Sequence, residues 1–159
     1  MKTRKMMTAV AIFLSIVSLM GISALPAQAE FYKYTATDVS QINTAVTNLN
    51  AIRARWPKEP TIIKLVAGAT CLQDSIKNGA VGQAEHSCNW PSALPPQGQF
   101  YKYTTMDMSQ ISMAVTNLNA IRARWPKEPT IIKLVTGATC LHESIQRGVS
   151  GLAEHSCNF

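Results

Sequence analysis

The fold is decided by residues 35–79, which read TATDVSQINTAVTNLNAIRARWPKEPTIIKLVAGATCLQDSIKNG. In the first half of this stretch the apolar residues recur at steps of three and four, which predicts an α-helix with one buried face. That face consists of Val39, Ile42, Val46, Leu49, Ile52 and Trp56. Thr35 followed by Asp38 resembles a capping box, with Asp in place of the usual Glu. Pro57 lacks the backbone N–H that a continuing helix needs, so we expect the helix to end there.

A second helix is predicted after Pro60, with its end near Gly79. Its apolar face consists of Ile62, Leu65, Val66, Ala69, Leu72 and Ile76. A strand over residues 61–66 is the alternative, because β-branched side chains are frequent there and Thr70 with Gln73 could begin a shorter helix. We prefer the long helix, since the apolar face stays in phase across Gly68.

The whole unit occurs twice. Residues 31–90 and 100–159 align without a gap at an offset of 69, and they differ at 14 of 60 positions. The strand alternative therefore applies equally to residues 130–135. The sequence predicts an all-α chain with repeat 1 at residues 30–90, a Pro-rich linker at 91–99 and repeat 2 at 100–159.

Each repeat begins with an extended segment, Phe31–Tyr34 in repeat 1. We expect one short helical turn near its end, within residues 80–89.

The first 29 residues have the pattern of a secretory signal peptide. A basic start precedes the apolar run of residues 9–22, and small residues stand at positions −3 and −1 before Glu30. An uncleaved membrane anchor is the alternative, but the apolar run is shorter than the ~20 residues that span a bilayer. Removing Lys2, Arg4 and Lys5 lowers the formal net charge from +6 to +3, which gives little reason to expect a nucleic-acid partner. We expect a periplasmic or extracellular protein without stable membrane insertion after cleavage.

The four cysteines fall into one pair per repeat, Cys71 with Cys88 and Cys140 with Cys157. In an exported chain this pattern predicts disulfides, and the duplication favours pairing within each repeat. On the second helix Cys71 faces the side that carries Gly68 rather than the apolar face. We therefore expect the segment with Cys88 to pass behind that helix, where the small residue allows a close approach.

A metal site is the alternative for these residues. His86 and His155 each precede a cysteine by two positions, and Cys with His can bind zinc or copper. Because no CxxC or HxxxH spacing accompanies them, we favour disulfides with a surface histidine and predict no metal and no cofactor. No catalytic motif is present either: the sequence has no Gly-x-Ser-x-Gly, paired carboxylates or phosphate loop, so we predict a protein that is not an enzyme.

Two sets of residues are candidates for binding a partner. In repeat 2, Met106 and Met113 replace Thr37 and Thr44 on the face opposite the predicted core. This difference suggests an adaptable interface in repeat 2, with neutral drift on a tolerant surface as the alternative.

The second set lies at the end of the first helix of each repeat and in the turn that follows, and it suits an acidic partner; it comprises Arg53, Arg55, Lys58, Arg122, Arg124 and Lys127. Trp56 lies in phase with the core face, so we expect it to be a buried helix end rather than a binding anchor.

The sequence thus predicts a secreted or periplasmic tandem repeat of small disulfide-linked helical modules. We expect it to bind another protein, as an inhibitor, immunity or adaptor protein, with pairing of its own two repeats as a further option. A small periplasmic metal-handling protein is the alternative function.

Overall fold

The computed structural model of the chain describes residues 31–79, 84–85, 88, 90–91, 100–151, 153–154, 157 and 159. The predicted signal peptide, most of the linker, His86 and His155 lie outside these residues. Repeat 1 contains β1 (Phe31–Tyr32), α1 (Ala36–Arg55), α2 (Pro60–Gly79) and β2 (Ala84–Glu85). Repeat 2 contains β3 (Phe100–Tyr101), α3 (Thr105–Arg124), α4 (Pro129–Val149) and β4 (Ala153–Glu154).

The capping box predicted at the start of α1 is confirmed. The Thr35 hydroxyl accepts a hydrogen bond from the Asp38 backbone N–H, and the Asp38 carboxylate accepts one from the Thr35 backbone N–H. Thr104 and Asp107 form the same box at α3. Each box satisfies backbone N–H groups that the first turn of a helix leaves without partners, which fixes where the helix begins.

The second helix of each repeat is continuous, so the strand alternative for residues 61–66 and 130–135 is wrong. A buried glutamate starts each of these helices. The Glu59 carboxylate accepts hydrogen bonds from the backbone N–H groups of Thr61 and Ile62, at 2.9 and 2.6 Å. Glu128 caps α4 in the same way. Together with proline at the first helical position, this cap favours a helix over the β-propensity of the following residues.

The helical turn predicted within residues 80–89 is wrong where the structure describes that segment. Ala84–Glu85 is a strand and pairs antiparallel with Phe31–Tyr32, and Ala153–Glu154 pairs with Phe100–Tyr101. The extended lead-in of each repeat offers unpaired backbone groups, and pairing satisfies them in a way that one isolated helical turn would not.

The four helices share one apolar core. In each repeat the first helix packs on the second, and across the repeats α1 packs on α3 and α2 on α4. The core positions are equivalent in the two repeats and comprise Ile42, Leu49, Ile52, Ile62, Leu65, Leu72 and Ile76 with Ile111, Leu118, Ile121, Ile131, Leu134, Leu141 and Ile145, all fully buried. Among the described residues, no helix has the length and apolar character needed to cross a membrane.

Candidate functional site

The two disulfides pair as predicted, Cys71 with Cys88 and Cys140 with Cys157, at Cα–Cα distances of 5.8 and 5.9 Å. The approach behind the second helix is also found. A Cβ atom added to Gly68 would lie 2.3 Å from the Trp90 ring, so only glycine allows this contact. A Cβ atom added to Gly137 would likewise lie 2.5 Å from the ring of Phe159, the residue equivalent to Trp90. Two disulfides are consistent with an oxidising, exported location.

All four cysteines are in these disulfides, so none supplies a thiolate ligand in the oxidised protein. In the part of the chain that the structure describes, no three His, Cys, Asp or Glu side chains are grouped so as to hold a metal ion. His86 and His155, the imidazole ligands of the alternative metal site, lie outside that part.

Arg55 and Arg124 contact acidic side chains of the same chain. The Arg55 Nε donates to Asp107 Oδ1 at 2.7 Å, and Arg124 Nε donates to Asp38 Oδ1 at 2.8 Å. A second guanidinium nitrogen of each arginine donates to a glutamine of the opposite repeat, Gln110 or Gln41. Since the end of each first helix meets the start of the other, α1 and α3 are antiparallel. The carboxylates that these two arginines bind belong to the other repeat, and the prediction that Arg55 and Arg124 contact an external acidic partner stays a prediction.

Asp38 and Asp107 are fully buried carboxylates at these contacts. Burial by itself would raise the pKa of Asp38, but hydrogen bonds from Thr35 and Arg124 hold that pKa below its ordinary value. At Asp107 the corresponding donors are Thr104 and Arg55, joined by the Trp56 indole, and the pKa is again lowered. Each aspartate thus has two functions: it caps its own helix and accepts an arginine from the other repeat.

Aromatic side chains also join the two repeats, close to the arginine–aspartate contacts. Trp56 of repeat 1 stands edge-on to Tyr101 and Tyr103 of repeat 2, with ring centroids 5.8 and 5.5 Å apart. Trp125 contacts Tyr32 and Tyr34 of repeat 1 at similar distances, 5.8 and 5.4 Å. Trp56 ends α1 as predicted and is half-buried against the core, and its ring also contacts repeat 2. Its Nε1 also donates to Asp107 Oδ2 at 3.2 Å.

A third contact between the repeats joins their last described residues. The rings of Trp90 and Phe159 stand edge-on with centroids 5.9 Å apart. Lys64 of repeat 1 has its ammonium 4.5 Å from the centre of the Phe159 ring, and Lys133 of repeat 2 is 5.9 Å from that of Trp90. These are distances at which a cation is attracted by the face of an aromatic ring.

The structure places one serine beside a histidine, Ser112 Oγ and His142 Nε2, 3.1 Å apart. In repeat 1 the equivalent positions are Asn43 and Gln73, and these side chains are also hydrogen-bonded, at 2.7 Å. Because both repeats have a polar link at this place, and only one of them has residues capable of nucleophilic chemistry, we interpret the link as a contact between the first and second helices.

The methionines of repeat 2 are exposed, Met106 by 60% and Met113 by 43%. Thr37 and Thr44, their counterparts in repeat 1, are exposed as well. The other exposed large apolar side chains among the described residues are Phe100 and Val149, both also in repeat 2.

Four basic residues of the predicted binding set are exposed and have no ion pair among the described residues, and none of their roles is tested by the structure. They are Arg53, Lys58, Arg122 and Lys127. Arg124 is exposed and Arg55 is partly exposed as well, but both are already paired with carboxylates of the other repeat.

Burial also perturbs Glu59, the fully buried carboxylate that caps α2. Desolvation raises the pKa of Glu59 from 4.5 to about 7, although the backbone N–H groups of Thr61 and Ile62 favour its charged form. The folded protein therefore binds a proton that the unfolded chain has released between these two pH values. We expect this group to contribute stability below pH 4.5 that is lost as the pH rises through about 7.

The variant Glu59→Gln, which is neutral at every pH, is expected to remove this part of the pH dependence. The measurement is the free energy of unfolding in urea at several pH values between 4.5 and 8. Glu143→Gln, which alters an exposed carboxylate of α4, is the control and should leave the pH profile of the parent unchanged. An unchanged profile for Glu59→Gln would show that burial of this carboxyl does not govern the slope.

A scan against models of known protein families finds no match to this chain, and searches of curated proteins and of solved structures find none either.

Proposed function

We propose that the chain is an exported, non-enzymatic protein-binding module, and that it binds its partner through the outer face of α3. One observation carries the proposal: the apolar side chains exposed on this face occur in one repeat only. Met106 and Met113 stand where repeat 1 has Thr37 and Thr44.

This asymmetry is not required by the fold. The threonines of repeat 1 occupy the same places on an equivalent helix, so the backbone is compatible with polar residues there. By contrast, the residues of the ion pairs and of the aromatic contacts around Trp56 and Trp125 are the same in both repeats. Exposing two large apolar side chains has no benefit for a folded chain by itself, whereas methionine suits a surface that adapts to an apolar patch on another protein.

We expect the double variant Met106→Thr/Met113→Thr to fold as the parent does and to bind the partner at least ten-fold more weakly. Fully burying a methionine side chain stabilises a contact by roughly 1.5–3 kcal/mol, so losing two partly buried ones gives an effect of this size. The measurement places a photo-reactive benzoylphenylalanine at position 113 of the chain, produced with its own leader, and identifies the cross-linked protein. The parent and the double variant, each without benzoylphenylalanine, are then added separately as competitors. The concentration at which each one reduces the cross-link from position 113 gives their relative affinity for the partner.

Position 44 provides the matched control, because it is the equivalent site on α1 and is also exposed. The proposal predicts a protein adduct from position 113 and none from position 44. Equal adducts from both positions, or none from either, would refute a partner surface on α3.

A further inference from the structure

The surface that joins the two repeats is self-complementary. Each repeat supplies an aspartate at the start of its first helix and an arginine at the end of it, and each arginine reaches the other repeat's aspartate. The aromatic residues follow the same rule, because the tryptophan of each repeat packs against two tyrosines of the other repeat. Such an isologous contact has the properties of a homodimer interface formed within one chain.

We infer that this surface also joins two copies of the chain, by exchange of repeats. Repeat 1 of one molecule then packs on repeat 2 of a second molecule, and the remaining two repeats pack in the same way. The exchanged dimer contains two copies of the same interface, so it keeps both ion pairs of each chain, Arg55 with Asp107 and Arg124 with Asp38. The inference is independent of the proposed function, which uses the outer face of α3.

The partner that binds this surface is a second copy of the chain rather than an unrelated protein, because the surface requires several groups in one fixed arrangement. A partner must present a carboxylate at a helix start, with a guanidinium and an indole one helix length away, in antiparallel orientation. Asp38 is completely buried in the contact, so a partner without a positive charge opposite it would leave that charge unpaired at considerable cost. Repeat 2 of another copy supplies Arg124 at the required place.

The equilibrium depends on the connection between the repeats. A short connection gives the second repeat an effective concentration in the millimolar range, with which another molecule must compete. Because the closed monomer and the exchanged dimer contain the same contacts, the dissociation constant of the dimer should lie in that range. Raising the chain concentration from 10 μM to 1 mM is then expected to raise the ratio of dimer to monomer by about 100-fold as long as the monomer predominates.

The test unfolds the disulfide-bonded chain, refolds it at 10 μM and at 1 mM, and measures the dimer fraction by size-exclusion chromatography with light scattering. We expect at most a few per cent of dimer at 10 μM and comparable amounts of monomer and dimer at 1 mM. Monomer alone at 1 mM would overturn the inference. No variant is needed for this measurement, so its result does not depend on the folding of an altered chain.

A second measurement identifies the surface. An equal mixture of ¹⁴N- and ¹⁵N-labelled chains with benzoylphenylalanine at position 110, beside Arg55, is refolded at 1 mM and irradiated. Cross-links from position 110 to the α1 peptide should include mixed-isotope pairs in the dimer and same-isotope pairs alone in the monomer. Position 136, exposed on α4, is the control and should give no such pairs. The variant Met106→Thr/Met113→Thr should form as much dimer as the parent; a loss of dimer in this variant, or same-isotope pairs alone in the dimer, would overturn repeat exchange.

Discussion

The variant Asp107→Ala is expected to lower the free energy of unfolding by about 3 kcal/mol. Three interactions end at this one buried carboxylate: the capping box with Thr104, the ion pair with Arg55 and the hydrogen bond from the Trp56 indole. Loss of an N-terminal cap costs about 1 kcal/mol, and removing the anion leaves a half-buried guanidinium without its counter-charge. The measurement is urea unfolding at pH 7 with the disulfides intact, followed by circular dichroism.

Two aspartates provide graded controls for this experiment. Asp74 is exposed on α2, and Asp74→Ala should change the free energy of unfolding by less than about 0.5 kcal/mol. Asp38→Ala removes the equivalent cap and ion pair, but among the described residues Trp125 Nε1 has no hydrogen-bond partner to lose. We therefore expect Asp38→Ala to cost about 1 kcal/mol less than Asp107→Ala. Equal effects of Asp107→Ala and Asp74→Ala would contradict the role given to the buried carboxylate.

The same carboxylates determine the acid limit of stability. Because the pKa values of Asp38 and Asp107 are lower in the folded protein than in the unfolded chain, their contribution is present above pH ~4 and is lost as the pH falls through the folded values. The Asp38→Ala and Asp107→Ala variants should accordingly show weaker acid destabilisation than the parent in the same urea measurement.

Removing the first disulfide by Cys71→Ser/Cys88→Ser is the second change with a large expected effect, a loss of about 3 kcal/mol. The bond closes a loop with a sequence separation of 17, and opening it gives the unfolded chain more conformational freedom. In the folded state it also holds Trp90 against Gly68. The measurement is again urea unfolding, comparing the double variant with the oxidised parent.

The second disulfide provides the matched control, because it has the same sequence separation and nearly the same geometry. Cys140→Ser/Cys157→Ser should lose a similar amount, and the reduced parent should lose at least as much as either variant. If either serine pair unfolded at the urea concentration of the parent, the disulfides would not be the source of stability that the loop length implies.

The features predicted correctly from the sequence are local ones. Thr35 and Asp38 of the capping box are only three positions apart, and the apolar residues of α1 recur with helical spacing along a helix of 20 residues. The position of Cys71 relative to Gly68 follows from helix geometry alone, which is why the close approach behind α2 could be predicted. Each of these features depends on neighbours within one or two helical turns.

The features missed are those whose partners are distant in the sequence. Arg55 pairs with Asp107, a carboxylate 52 residues away in the other repeat. Local periodicity assigned Trp56 to its own helix, while its ring and indole N–H meet repeat 2. Two signals pointed to this contact. An arginine at the helix end and an aspartate at the helix start are oppositely charged, and both occur in each repeat, as a self-complementary interface requires.

The identity of the two sides of the contact has a consequence for how such a chain can change. In a dimer of identical subunits, every mutation is made twice, so a residue that improves one surface is forced on both. Here the two halves are encoded separately, and none of the 14 differing positions is one of the residues that form the ion pairs or the aromatic contacts around Trp56 and Trp125. Covalent fusion therefore allows one half to have methionines on its outer helix and the other to have threonines, while the residues of the shared ion pairs stay the same.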